Sequence, residues 1–187
     1  MRNQVAMWKV VAGSIITLAS CVLLGANLTV SPATMSSITA TFTQEGVAVD
    51  CPFRKFSGRI AYDQKSVATA AANIEVDMAS LDIGDPAYNA EVRKKSWFDS
   101  AQFPKGRFQS TAIRAGVAGK FVAIGTLAIK GKSVVVQVPV SVSRTARATV
   151  FDGSFTISRK AFGIGDPIWD DALDDKIIIR FHLISGA

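Results

Sequence analysis

The chemistry open to this chain is limited by what it carries one of. His182 is the single histidine in 187 residues. It falls between Phe181 and Leu183 in an alternating stretch, on the face opposite the apolar stripe, and reads as a solvent-facing strand residue rather than a base or a ligand. No His or Cys pair stands at metal-binding spacing. No glycine-rich phosphate loop opens a helix, and no nucleophile elbow of the G-x-S-x-G kind occurs. Paired carboxylates do exist, Asp170-Asp171 and Asp174-Asp175, within Trp169–Asp175. Acid pairs in a glycosidase must project into one cleft. These lie in a polar loop before the last apolar run and read as solvated, with weak calcium binding as the sharper alternative. The sequence therefore predicts no catalytic residue, no metal and no cofactor. What remains is apolar surface without polar machinery, which suits either a binding cavity or a packed core.

The elements that would position such a surface are strands. Ser133–Ser143 places Val134, Val136, Val138, Val140 and Val142 on one face, and period two with β-branched side chains means a strand. Pro139 cannot donate to a ladder, so a bulge or locally unpaired stretch is expected there. Phe56, Ile60 and Tyr62 alternate across Gly58. Ile74, Val76 and Met78 alternate with polar residues. Phe121, Leu127 and Ile129 share a face with Ala123 and Gly125, and Ile177, Ile179, Phe181 and Leu183 repeat the pattern. Further strands are expected at Ile38–Thr43, Gly106–Arg114 and Gly153–Arg159, for about eight in all, separated by turn signals. One segment departs from this. Asp85-Pro86 is an N-cap and first-turn pair, and the spacing that follows predicts a short helix near 86–98. Antiparallel strands in this number close into a barrel or pack as a sandwich, and periodicity leaves both open.

Length and composition suit one domain of this kind. Arg2 and Lys9 precede an uncharged, largely apolar run from Val10 to Val30. Residues 1–33 thus read as a cleaved export signal or a membrane anchor, with residues 34–187 as the folded domain. Cleavage after Ala26 is the earlier alternative. Leu18-Ala19-Ser20-Cys21 also fits a lipoprotein box. Without that leader Cys51 has no intrachain partner and reads as a buried thiol. Setting Arg2 and Lys9 aside lowers the formal net charge from +6 to +4. That mild excess favours an anionic head group or membrane surface, and no arginine-rich stripe suggests nucleic acid.

Ordered motifs from about Ile38 to Ile184 resemble the YceI-like family. Val49–Asp63 is similar to its first hairpin pattern, G-x-F-x-x-F-x-G-x-I-x-F-D, with Pro52 where glycine is expected. Ile74–Asp85 resembles the strand leading to an S-x-x-T-G turn. Lys95–Thr111 resembles the signature of an aromatic pair and Asp followed by Pro and Phe. Gly125–Val140 resembles a later hairpin, with Ala128 where threonine is usual, and Phe155–Trp169 resembles the R-x-x-F-G-I-G motif. Trp97, Phe98 and Trp169 look most like a subgroup found beside membrane b-type cytochromes.

The resemblance implies an all-β, extended eight-stranded antiparallel lipocalin-like barrel in the periplasm, holding a long isoprenoid lipid, either a polyprenyl phosphate or a quinone. It carries no catalytic motif across, so the expectation is a binder and not an enzyme. Phe56, Ile60, Ile74, Val76, Phe108, Phe121, Leu127, Val136, Val138, Phe155, Ile177 and Ile179 are the expected lumen residues, with Trp97 and Phe98 closing one barrel end. Arg159 is the expected structural ion-pair partner, and Lys94, Lys95, Lys130 and Lys132 are candidate rim cations. The alternative is a non-catalytic interaction module, its barrel filled by its own side chains, docking on a b-type cytochrome or other envelope partner. An apolar barrel mouth would also suit a homodimer.

Overall fold

The computed structural model describes residues 26–117 and 119–186. Ten strands run through them: β1 (Ala26–Val30), β2 (Ser37–Gln44), β3 (Val47–Pro52), β4 (Phe56–Tyr62), β5 (Ala71–Asp77), β6 (Lys105–Ala115), β7 (Lys120–Ile129), β8 (Lys132–Arg144), β9 (Ala148–Ser158) and β10 (Lys176–Gly186). All pairings are antiparallel. They form one sheet in the order β1-β4-β5-β6-β7-β8-β9-β10-β2-β3. β1 pairs with β4 at one edge yet also lies against β10, close to the other edge. The sheet must therefore curl round a single core, and it does so as a half-barrel of the lipocalin-like kind.

The strand count corrects the expected eight. β3 is a short edge strand ending at Pro52, and a missing N–H is tolerated at such an edge. β1 lies inside the apolar run read as an export leader, so its polar-apolar alternation over five residues is submerged. The sheet thus begins within residues 1–33. Residues 1–25, including the charged start and the Cys21 box, lie outside the described residues.

Two hairpins turn on two residues, Glu45-Gly46 between β2 and β3 and Lys130-Gly131 between β7 and β8. All four have positive φ, at 51° and 80° and at 50° and 73°. This is the type I′ geometry whose twist matches that of the flanking strands, with glycine at its second position. The expected irregularity at Pro139 takes a particular form. Pro139 pairs with Val122 on β7, but the β8–β9 ladder runs only from Val140 to Arg144. Below the proline, β8 leaves β9 and runs beside the 3-10 turn Lys160–Phe162. The register shift in the sheet falls instead between Ser110 and Ala112 of β6.

The helix α1 (Pro86–Glu91) is shorter than expected. Asp85 caps it, accepting from the N–H groups of Ala87 and Tyr88 at 2.7 and 3.2 Å. Tight turns follow, in which Trp97 N–H donates to Lys94 O and Phe98 N–H to Val92 O. The reason is steric placement. Val92 and Trp97 both face the interior, and five residues of continuous α-helix would have pointed them to different sides.

Candidate functional site

The inward faces of the strands enclose a cavity of about 680 Å³, within the roughly 300–1,000 Å³ usual for small-molecule sites. Its wall is built strand by strand from the alternating apolar positions. Ile60 comes from β4, Ile74 and Val76 from β5, Phe108 from β6, Phe121 and Leu127 from β7, Val138 from β8, Phe155 from β9, and Ile177 and Ile179 from β10. Ten of the twelve positions named from sequence therefore face the cavity, and Trp97 and Phe98 line it as well.

Two do not. Phe56 is 7% exposed but belongs to the packed core and not to the cavity wall. Val136 is half-buried on the part of β8 that has left β9. It packs there against the core and not on the cavity wall.

Sequence reasoning named other members of the wall only as strand residues. Ala123, Ile129, Val140, Phe181 and Leu183 lie on faces already recognised and could have been read from the same period. In β2, Ile38, Ala40 and Phe42 alternate with threonines and line the cavity too. By contrast Ile83, Ile164 and Leu173 reach it from loops, where no periodicity announces them.

The cavity's two ends differ. Toward one, Phe121 stacks on Tyr62 with centroids 6.4 Å apart. Phe151 meets Tyr62 edge-on at 5.4 Å. Toward the other, the wall includes exposed residues, namely Gln44, Gly84, Asp85, Tyr88 and Trp169. Tyr88 is 62% exposed and Trp169 is 40%, with Ile168 beside it at 78%. These exposed residues frame a mouth, between the start of α1 and the 3-10 turn Pro167–Trp169.

Polar groups around the cavity are mostly spent on the protein itself. Arg159 is 2% exposed. Its Nε donates to Asp174 O, Nη1 to Ile164 O, and Nη2 to both Asp170 Oδ1 and Leu173 O, at 2.7–3.1 Å. It staples the loop that follows β9 to the start of β10. Asp170 also pairs with Lys160 at 2.9 Å. Hydrogen bonds from Lys160 and then Arg159 hold its carboxyl below the usual range. Asp175 accepts from Ser158 and from the Lys160 N–H. The acids at 170 and 175 are therefore loop fasteners, which the sequence left as merely solvated.

Among the candidate rim cations, Lys94 pairs with Glu91. Lys130 donates to the carbonyls of Ser96 and Gly163 at 3.3 and 2.6 Å, and burial pushes its ammonium down. Cys51 is fully buried and lines the cavity. Burial raises its thiol to about 11, which keeps it a neutral apolar group. His182 faces outward, its Nδ1 2.6 Å from Asp152 Oδ1.

A curled antiparallel sheet around an apolar cavity defines a barrel of the ligand-holding class. The model of the YceI-like domain matches residues 29–184, and the chain belongs to that family. It is similar to BcnA of Burkholderia cenocepacia, with 37% identity, a TM-score of 0.78, and cover of 80% of this chain and 96% of that one. It also has the fold of a polyisoprenoid binding domain from Saccharophagus degradans, with 16% identity, a TM-score of 0.69, and cover of 87% and 99%. A UPF0312 protein of Photorhabdus laumondii is 28% identical over 79 residues, 42% of this chain and 41% of that protein. The chain thus matches about two-fifths of the length of the curated relatives.

Proposed function

We propose that this protein is an exported lipid binder that holds one long isoprenoid chain in its barrel, without catalysing a reaction. The observation that carries the reading is the continuous apolar wall of the 680 Å³ cavity, contributed by nearly every strand. A barrel filled by its own side chains would not leave a space of this size, since protein interiors pack with few voids larger than a water. The Saccharophagus degradans domain of the same fold, described as polyisoprenoid-binding, supports the reading.

The energetics are adequate. Each buried methylene contributes about 0.8 kcal/mol, so a partly enclosed isoprenoid tail has ample gross driving force even after the ordering of a flexible chain is subtracted. Turnover would need a polar constellation aimed at the ligand, and the buried cation Arg159 is committed to carbonyls and Asp170. The charged and apolar leader supports export. Cleavage after Ala26 would leave Asn27–Val30 free to pair with β4.

The test is native mass spectrometry of the exported protein, with organic extraction of any bound mass. A stoichiometric isoprenoid is expected. An empty protein that also fails to take up added polyprenyl lipids would overturn the proposal.

A further inference from the structure

At the end of the barrel away from Tyr88 and Trp169, three strand connections meet. The β8–β9 hairpin reaches the loop between β4 and β5, where Arg144 Nη1 donates to Gln64 Oε1 at 3.3 Å. The β6–β7 hairpin lies beside β8, and Val142 N–H donates to Gly119 O at 2.7 Å. These connections and their flanking strand ends carry Lys65, Arg114, Lys120, Arg144 and Arg147, all exposed, against a single acid, Asp63. Ile113 and Phe121 line the cavity, so strand alternation turns Arg114 and Lys120 outward. Among the described residues none of the five cations forms an ion pair. Five cations against one acid make +4, equal to the formal charge of residues 34–187 as a whole, so the rest of the domain is balanced. The opposite end pairs its charges, as in Arg54 with Asp82, Lys94 with Glu91, and Arg159 and Lys160 with Asp170.

Two exposed apolar side chains share this end. Val117, in the β6–β7 hairpin, is 74% exposed, and Met35 is 80% exposed in the turn that packs on the end of β10. The chain also enters the barrel here, since Ala26 pairs with Tyr62, the last residue of β4. The uncharged run that starts at Val10 leads directly into it. A leader kept as an anchor ties this end to the bilayer, and cleavage after Ala26 leaves a new α-ammonium beside the same cations.

We propose that this basic end docks on an anionic phospholipid bilayer, with the five cations against the lipid phosphates and Val117 and Met35 among the head groups. A cation near such a surface gains about fivefold in affinity from its negative potential. The apolar tips add a short-range contact that salt does not screen. The exposed rim at Tyr88, Ile168 and Trp169 is the weaker candidate, because Asp85, Asp166, Asp170 and Asp171 flank it and an anionic surface repels them. Docked in this way, the barrel holds that rim away from the bilayer. The proposal concerns an outer surface and stands whatever the cavity binds.

The experiment sediments the exported protein with phosphatidylcholine vesicles made with and without phosphatidylglycerol. Binding is expected only where phosphatidylglycerol is present, and should weaken as salt is raised. Replacing Arg114, Arg144 and Arg147 together by Gln should lower partitioning about a hundredfold. Replacing Lys55, Lys94 and Lys95 together by Gln removes the same charge from the opposite end and should leave partitioning unchanged. Circular dichroism checks that both variants keep the sheet. A second readout places the contact without removing any charge: an environment-sensitive fluorophore on Val117→Cys should shift to the blue on vesicles, and one on Ile168→Cys should not. Absence of binding to phosphatidylglycerol vesicles would overturn the proposal. So would equal losses in the two charge variants, which would make the attraction one of net charge alone, or a shift at position 168 without one at 117, which would turn the rim to the membrane.

Discussion

The guanidinium of Arg159 donates to three backbone carbonyls and one carboxylate while 2% exposed, so it works as a fastener inside the loop between β9 and β10. Its planar fork suits several acceptors at once, and a lysine ammonium could not reach them all. Arg159→Met keeps much of the side chain's bulk and removes every donor. Each buried acceptor left unmade costs about 1–3 kcal/mol, so the three carbonyls alone should lower stability by about 3 kcal/mol or more, measured by denaturant unfolding. The same change reports on Asp170, whose carboxyl Lys160 and Arg159 hold below its usual value. The stabilisation from a depressed carboxylate is present above its unfolded pKa and lost as pH falls through the folded one. Without Arg159, Asp170 should titrate closer to the ordinary carboxylate range by NMR. An unchanged titration together with unchanged stability would remove Arg159 from this role.

At the scale of elements, the strand glycines set how closely neighbouring rings can lie. Gly153 pairs with Phe181 across β9 and β10. A Cβ there would come within 2.3 Å of the Phe181 ring and 2.4 Å of Pro139 O. The ring could shift, but the carbonyl is backbone and cannot. Gly153→Ala should therefore destabilise by about 1–3 kcal/mol, as overpacking does, and should push Phe181 into the cavity it lines. A variant with unchanged melting would show that β8 yields instead.

These elements differ in how far the sequence discloses them. β7, β8 and β10 were legible because one apolar face repeats every second residue over ten or more positions. β1 was not, because Ala26–Val30 ends a long apolar run. α1 was overextended because the pattern that starts at Asp85-Pro86 continues past Glu91, while the turns that swing Trp97 inward depend on contacts distant in sequence. Most of the cavity wall followed from strand period. Val136 lies off the wall, on the part of β8 beyond its pairing with β9, and Ile83, Ile164 and Leu173 were missed because loops carry no period.

On the proposed function the whole molecule couples ligand to fold, because the strands that line the cavity are also the core. A lipid that binds only the folded state adds stability by mass action, about 2.7 kcal/mol at a hundredfold excess over Kd. For a chain of this size each kcal/mol moves Tm by about 2–4 °C, so loaded protein should melt several degrees above stripped protein. Phe121 tests whether that gain comes from the cavity. It is 8% exposed, stacks on Tyr62 and faces the lumen deep in the barrel. Phe121→Asp would set a carboxylate against the tail where no cation answers it, and burying an unpaired charge costs far more than the lost ring contacts. In water-filled, ligand-free barrel the carboxylate stays hydrated, so the variant should keep its β-sheet circular dichroism, melt below the wild type, and show no further rise on adding lipid. A folded Phe121→Asp protein that gains the full wild-type shift would place the ligand outside the barrel, and with it the function proposed for the cavity.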